Sequence, residues 1–160
     1  MLMQKTGAKN RIGIDKELYL IKSTLTAAQT VARLKHILEE KHIPINFVIN
    51  HAQDAASVGL VLRPTFTVFA GSPQMRVRLL QAQQAVTVLL PLRISVWEDE
   101  KKQVWLGYLR VRDVAKRYGL TKLSEISYLE NIMENISHRA CHPGRTRVGK
   151  KTADKKEKGK

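Results

Sequence analysis

The chain has 160 residues and a mass of 18.2 kDa, with 43% hydrophobic and 26% charged residues, values typical of one globular domain. It carries 28 Lys and Arg residues against 14 Asp and Glu residues, which gives a net charge of +14. Cys141 is the only cysteine, and this excludes an intramolecular disulfide and any metal centre that needs several cysteines.

The hydropathy pattern places this protein away from membranes. No apolar run approaches the roughly 20 residues that a bilayer span requires. The stretch from Met1 to Asp15 contains basic residues without the apolar core of a secretory signal. We therefore expect a cytoplasmic protein without a membrane span.

The first predicted elements are a strand and a helix. The run from Leu18 to Leu25 is rich in β-prone residues and predicts a strand. Thr26 and Gln29 fit a capping box, in which each side chain binds the backbone N–H of the other residue at a helix start. Pro44 cannot continue this helix, and a second strand is expected at 45–49.

The middle of the chain alternates polar connectors with regular elements. Residues 50–60 are polar or small, and we interpret them as a connector. Thr65 to Ala70 alternates as a strand does, and Gly71 then ends it. Pro73 is suited to the first position of a helix, which we expect to continue to Val86.

The second half of the chain predicts a hairpin and two helices. The hairpin strands are Leu90 to Trp97 and Val104 to Leu109, joined by a charged turn. Val111 to Tyr118 predicts a short helix that ends at Gly119, and apolar residues from Leu123 to Ile136 predict the last helix.

This order of elements predicts an α+β domain with a mostly antiparallel sheet and helices on one face. The helical pattern stops after Ser137. We therefore predict a flexible N-terminal arm at 1–16, an α+β domain at 17–137 and a disordered basic C-terminal tail at 138–160.

Short motifs in a fixed order run from Leu18 to about Asn135, and through them the chain resembles the domain of unknown function 302 family. The resemblance implies a curved antiparallel sheet with helices packed on one side, as in TATA-box-binding protein, frequent self-association as a homodimer, and no established reaction. The motifs that carry it are Ile49-Asn50-His51-Ala52, Val58-Gly59-Leu60, Pro64-Thr65, Ala70-Gly71-Ser72-Pro73, Leu90-Pro91-Leu92, Val96-Trp97-Glu98-Asp99 and Tyr118-Gly119-Leu120.

The chain departs from the family pattern at several motif positions. Asn50 replaces an aspartate before the histidine, Ala70 replaces an aromatic residue and Ser72 replaces an asparagine. Where the family has a small Gly-Thr-Pro segment after the motif that contains Ser72 and Pro73, this chain has Arg76-Val77-Arg78. These differences make any inherited pocket between the motifs poorer in carboxylates and more basic.

One hypothesis places a ligand at His51, Ser57, Gly71 and Ser72. An imidazole changes its charge near neutral pH, so His51 fits a general base or a ligand contact. It also fits a structural histidine that caps a helix or forms a hydrogen bond, which is the interpretation that the absence of an adjacent carboxylate favours. Gly71 and Ser72 precede a helix whose free N–H groups could bind an anion, although the end of a strand also explains them. The sequence predicts no catalytic residue and no cofactor.

The leading hypothesis is a non-enzymatic protein that associates with nucleic acid or another polyanion through basic residues. A tail that only keeps the protein in solution, a small-molecule or enzymatic pocket near His51, and an adaptor within a larger assembly are the alternatives. The candidate phosphate contacts lie on the penultimate helix and in the tail: Arg110, Arg112, Lys116, Arg117, Arg145, Arg147, Lys150, Lys151, Lys155 and Lys156.

Two further groups of residues have side chains that are suited to chemistry or to base stacking. His138, Cys141 and His142 place three metal donors within five residues, but no fourth donor follows, and the sequence predicts no metal site. Trp97 and Trp105 are expected to be anchors of the core or of a dimer rather than platforms for stacked bases.

Overall fold

The computed structural model describes residues 18–144, so the predicted arm at 1–16 and the tail residues 145–160 lie outside the described residues. The strands are β1 (Leu18–Lys22), β2 (Ile45–Asn50), β3 (Thr65–Ala70), β4 (Leu92–Glu98) and β5 (Val104–Leu109). The helices are α1 (Ala27–Glu40), α2 (His51–Ser57), α3 (Pro73–Ala82), α4 (Val111–Arg117) and α5 (Ser124–Cys141), and a 3-10 helix occupies Gln84–Leu89.

The five strands form one sheet in the order β1-β5-β4-β3-β2, and every neighbouring pair is antiparallel. Helices α1 and α5 pack against each other and against one face of this sheet. The predicted α+β class, with an antiparallel sheet and helices on one face, is therefore confirmed.

The hydrophobic core lies between the sheet and these two helices. Strand side chains alternate between the two faces, so every second residue points toward α1 and α5. Val68, Ile94, Val96 and Leu106 take these positions and are fully buried. The apolar residues that α1 and α5 contribute to the same core include Leu34, Ile37, Leu38, Leu129 and Ile136.

Local sequence signals define several helix ends as predicted. The backbone N–H of Gln29 donates to the Thr26 hydroxyl at 3.2 Å, and the backbone N–H of Thr26 donates to Gln29 Oε1 at 3.1 Å, which completes the capping box. Pro73 begins α3. Gly119 follows α4 with a φ of +69°, a left-handed conformation that glycine adopts without strain.

The connector predicted at residues 50–60 contains a helix instead. Helix α2 buries none of its residues, so its sequence carries no apolar stripe that would reveal it. Its visible signal is the cap, because Asn50 Oδ1 accepts a hydrogen bond from the backbone N–H of Gln53 at 3.2 Å. Other bounds differ as well: β1 ends at Lys22, α3 ends at Ala82 before the 3-10 helix, and β4 extends from Leu92 to Glu98.

The last helix is longer than the sequence pattern indicated. Helix α5 continues to Cys141, and Ala140 and Cys141 are fully buried. Both the backbone N–H and the hydroxyl of Thr24 donate to the Cys141 carbonyl, at 3.1 and 2.9 Å. The prediction that the tail begins at residue 138 is therefore wrong for residues 138–141, which are part of the folded body.

None of the helices between residues 18 and 144 combines the length and the hydropathy of a bilayer-spanning segment.

Candidate ligand-binding site

The face of the sheet opposite α1 and α5 carries the candidate site, and we call it the open face. One cross-strand row crosses the whole sheet on this face, as the strand register shows. The row consists of Leu20, Gly107, Ser95, Thr67 and Ile49. Small and hydroxyl-bearing residues therefore occupy the three central strands, where the side chains of a buried sheet face would normally be large and apolar.

A chain of hydrogen bonds links His51 to this row. His51 is the first residue of α2, directly after β2, and this position brings its ring over β3. Its Nε2 atom shares a hydrogen bond of 2.9 Å with the Thr67 hydroxyl, which lies 3.3 Å from the Ser95 hydroxyl. All three side chains are half-buried. The His51 ring therefore forms the hydrogen bond that the interpretation as a structural histidine requires.

Gly107 has no side chain, which leaves space above the centre of the open face for neighbouring side chains. A Cβ atom at this position would lie 2.8 Å from a Leu20 methyl carbon and 3.0 Å from the Trp97 ring. These two side chains thus occupy the space above the glycine, and any larger residue would displace them.

A cavity of about 470 Å³ is lined by residues of the open face and by residues of the helices, including α5, and most of its lining side chains are apolar. Its polar lining consists of His51, Thr67, Arg93, Ser95 and Tyr108. No Asp or Glu of the described residues contributes to it. The apolar lining comes from the strands, from α3 and the 3-10 helix, and from α4 and α5: Leu18, Phe69, Leu79, Val86, Leu89, Leu90, Leu92, Trp97, Leu109, Val111, Val114, Ala115, Leu120, Ile126, Leu129 and Met133.

Two polar groups of the lining residues have no partner within residues 18–144. Arg93 is exposed, and its guanidinium forms neither a salt bridge nor a hydrogen bond there. Tyr108 is 2% exposed, and its hydroxyl has no hydrogen-bond partner, although its ring stacks on Tyr19 at 5.1 Å. Burial raises the pKa of the Tyr108 phenol, so this group stays protonated at neutral pH.

Three residues predicted to accompany His51 lie elsewhere. Ser57 is exposed and donates to the Asp54 carbonyl at 2.6 Å. Ser72 caps α3 by accepting from its backbone, and the Gly71 carbonyl accepts from Arg76 Nη1 at 3.1 Å. None of Ser57, Gly71 and Ser72 lines the cavity. The structure therefore groups His51 with Thr67, Ser95 and Arg93, which the sequence had not singled out.

The basic residues of α4 and its cap lie on the surface of the domain. The Arg110 guanidinium lies 5.4 Å from the centre of the Tyr19 ring. Arg112, Lys116 and Arg117 are exposed, and Lys116 Nζ lies 3.7 Å from Asp113 Oδ1. The six predicted contacts from Arg145 to Lys156 lie outside the described residues.

The predicted donors at the end of α5 do not converge. The His138 and His142 rings are 6.3 Å apart, and His138 Nε2 shares a hydrogen bond of 3.1 Å with the Tyr19 hydroxyl. Burial raises the pKa of the Cys141 thiol to about 11. Between residues 18 and 144, no three His, Cys, Asp or Glu residues are arranged to hold a metal ion.

Comparison with known proteins identifies the family of this chain. The model of the domain of unknown function DUF302 matches residues 19–138. The chain belongs to the DUF302 family. Its fold is similar to the crystal structure of an uncharacterised DUF302 protein from Bacillus stearothermophilus, with a TM-score of 0.68 and 16% identity. That similarity covers 78% of this chain and 98% of the Bacillus chain.

Curated relatives of the DUF302 domain come from Brucella. The chain is 28% identical over 114 residues to the fluoride-specific ion channel FluC 1 of Brucella suis biovar 1, which covers 71% of this chain and 45% of that protein. The match to FluC 1 of Brucella abortus biovar 1 has the same identity and covers 42% of that protein. This chain thus spans less than half the length of the curated relatives that it matches.

Proposed function

We propose that this DUF302 domain is a non-enzymatic binding domain for a small, mainly apolar molecule, which it holds in the open-face cavity. The observation that carries the proposal is the hydrogen-bonded array of His51, Thr67 and Ser95 at a cavity whose lining is mainly apolar. A few polar groups in an apolar lining are typical of small-molecule sites, because the apolar surface supplies affinity and the polar groups orient the ligand.

The size of the cavity supports this proposal. Its volume of about 470 Å³ lies within the range of roughly 300–1,000 Å³ that ligand pockets usually have. Leu79, Leu129 and Met133 line it and are at most 5% exposed. A ligand that reaches these side chains would leave water almost completely, which gives a favourable free energy of transfer.

The surroundings of His51 favour binding over catalysis. A general base needs a second group that orients its ring and stabilises its protonated form, and carboxylates usually have this role. Here the Nε2 atom of His51 is already hydrogen-bonded to Thr67, and the cavity lining contains no Asp or Glu among the described residues. The imidazole and the two hydroxyls are arranged to share hydrogen bonds with a ligand.

The neutral fluorophore N-phenyl-1-naphthylamine tests this function, because its emission rises when it enters an apolar site. We expect saturable binding of one molecule per chain. Ser95→Leu fills the cavity and should weaken binding at least tenfold, whereas Thr65→Leu should not, because Thr65 is on the same face but does not line the cavity. The proposal would be contradicted if the fluorophore did not bind. It would also be contradicted if Ser95→Leu and Thr65→Leu lost the same affinity while both variants still unfolded cooperatively.

A second candidate function, association with nucleic acid or another polyanion in the cytoplasm, is favoured by the exposed cations of α4. Residues 145–160 add eight basic and two acidic residues to this positive charge. Lys and Arg contacts to phosphates release counterions, so the affinity should fall steeply as salt rises. A mobility-shift titration at 50 and 200 mM salt tests this, and deletion of residues 145–160 should remove most of the affinity. Binding that is absent or insensitive to salt would exclude this function.

Self-association as a homodimer is also a proposal, and the β2 edge of the sheet supports it. Within residues 18–144, strand β2 has no neighbour on its outer side, and its sequence from Ile45 to Asn50 contains neither a charge nor a proline that would block pairing. Val48 on this strand is 37% exposed. We expect light scattering to give the mass of a dimer and Val48→Lys to give that of a monomer. A monomeric wild-type chain would rule this out.

A further inference from the structure

We infer that the ligand of the open-face cavity is a carboxylate with an apolar tail, and that Arg93 recognises its charge. This inference rests on the proposed function, since it names the class of molecule that the cavity binds. The carboxylate would lie beside Arg93, Thr67 and Ser95, and the tail would lie among the apolar side chains of α3 and α5.

The charge of the lining is the first argument. Arg93 is the permanently charged residue among the described lining residues, and His51 is the other group that can become cationic. No acidic side chain of the described residues offsets them. A cation beside an apolar cavity attracts an anionic group and disfavours a cationic one.

The free guanidinium of Arg93 is the second argument. Arg139 forms a two-point ion pair with Glu40, at 2.7 and 3.1 Å, and Arg78 binds Glu125 at 2.7 Å. Arg93 has no such partner within residues 18–144. The planar fork of an arginine matches a carboxylate in a two-point contact, so the partner that Arg93 lacks is one that a ligand carboxylate can supply.

The strand register places the polar groups within reach of one carboxylate. Arg93 and Ser95 are two residues apart on β4, so they lie on the same face with Cα atoms about 6.6 Å apart. Thr67 pairs with Ser95 across the sheet. A carboxylate between them would accept hydrogen bonds from the guanidinium and from a hydroxyl. The single positive charge of Arg93 balances the single negative charge of one carboxylate.

The part of the lining that α3 and α5 contribute has the properties that an apolar tail requires. Leu79 of α3 and Ile126, Leu129 and Met133 of α5 line the cavity, have apolar side chains and are at most 5% exposed. A polar group placed there would lose its hydrogen bonds to water without replacement. The ligand is therefore amphiphilic, with one anionic end and one aliphatic or aromatic end.

Octanoate and 1-octanol test the inference, because they have the same chain length and differ in charge. Both are titrated at pH 7 and low salt as competitors of N-phenyl-1-naphthylamine. We expect octanoate to bind at least tenfold more tightly than 1-octanol to the wild-type chain. Arg93→Gln should reduce the affinity for octanoate to that for 1-octanol and leave 1-octanol binding unchanged. Lys35→Gln, which removes an equal charge from the exposed side of α1, should change neither affinity.

The outcomes separate this inference from the proposed function. Equal affinity of the wild-type chain for the two competitors, or a loss in Arg93→Gln that is the same for both, would overturn the assignment of a carboxylate ligand and leave the binding function intact. Failure of the fluorophore and of both competitors to bind would instead overturn the function itself. Arg93→Lys keeps the charge without the fork and should retain part of the preference for octanoate.

Discussion

Trp97 and Gly107 are neighbours on the open face, and the indole ring lies 3.0 Å from the position that a Cβ on Gly107 would occupy. The Leu20 side chain approaches the same point to 2.8 Å. Glycine at this place in β5 therefore serves close packing, since its backbone does not adopt a left-handed conformation. The position of Trp97, which lines the cavity, depends on this missing side chain.

The first prediction follows from this contact. Gly107→Ala should displace Trp97 and Leu20 and lower the free energy of unfolding by about 1–3 kcal/mol, the usual effect of overpacking. Urea denaturation measures the change, and the Trp97 emission of a Trp105→Phe background reports the displacement. Ser95→Ala, on the same face without a clash, is the control for emission. An unchanged emission in Gly107→Ala would show that the space above Gly107 is larger than described.

The second prediction concerns the hydroxyl of Thr67. Thr67→Val keeps the shape of the side chain but leaves His51 Nε2 and Ser95 Oγ without their shared partner. We expect a loss of about 1–3 kcal/mol in the free energy of unfolding, as for other half-buried groups that lose a hydrogen bond. Thr65→Val is the matched control, because the Thr65 hydroxyl donates only to the nearby Arg63 carbonyl at 2.9 Å. If both variants unfold at the same urea concentration, the hydrogen-bond chain does not stabilise the domain.

The third prediction is that removal of the Tyr108 hydroxyl does not lower the free energy of unfolding. The Tyr108 hydroxyl is buried without a partner within residues 18–144, so the folded state gains nothing from it. Tyr108→Phe should leave the free energy of unfolding unchanged or raise it by about 1 kcal/mol. Thermal melts of the unliganded chain test this. A clear decrease in stability would reveal a partner for this hydroxyl that the structure does not show.

The fourth prediction concerns Cys141. Burial raises the pKa of its thiol to about 11, so at pH 8 less than about one in a hundred thiols is ionised. We expect the folded chain to react with an aromatic disulfide reagent at the rate of unfolding, and the urea-unfolded chain to react within seconds. Rapid reaction of the folded chain would contradict the burial of the last turn of α5.

The fifth prediction is a pH dependence at the hairpin turn. The Trp105 indole donates to Asp99 at 2.9 Å and, with backbone N–H groups of Gln103 and Lys101, lowers the pKa of this carboxyl below 3.8. A lowered pKa stabilises the folded state at every pH above the ordinary value, and this stabilisation is lost as the pH falls through the folded-state pKa. Asp99→Asn should therefore melt at a lower temperature than the wild type at pH 7.

The pH profile of this variant provides the check. The difference in melting temperature between Asp99→Asn and the wild type should decrease steadily from pH 5 to pH 2. A difference that stays constant over this range would mean that Asp99→Asn lowers the melting temperature for a reason other than the lost carboxylate charge. It would then reflect only the altered geometry of the turn.

Much of the fold could be predicted because its signals are local. The capping box of Thr26 and Gln29, the break at Pro44 and the start at Pro73 each depend on a few adjacent residues. Helix α2 has a local signal in the Asn50 cap, but it lacks an apolar stripe because it buries no side chain. The end of α5 was placed too early because Arg139 and His138 interrupt the apolar pattern, although Ala140 and Cys141 continue it as small buried residues.

The candidate site was harder to predict because it depends on contacts across the sheet. Thr67 and Ser95 were each in a predicted strand, but only the pairing of β3 with β4 places one opposite the other. His51 was identified by its chemistry, and its partner is 16 residues away. Ser57 follows His51 in the same polar segment and Ser72 belongs to a family motif, so both are expected beside it, whereas their hydroxyls bind helix backbone groups.

The position of a bound ligand tests the account most directly. Intermolecular nuclear Overhauser effects between octanoate and the wild-type chain would show where each end of the ligand lies. We predict contacts from the terminal methyl group to the Met133 and Leu129 methyl groups, and contacts from the C2 protons to Thr67. Contacts confined to residues outside the cavity, or the reverse orientation, would contradict the assignment of this face as a binding site for apolar carboxylates.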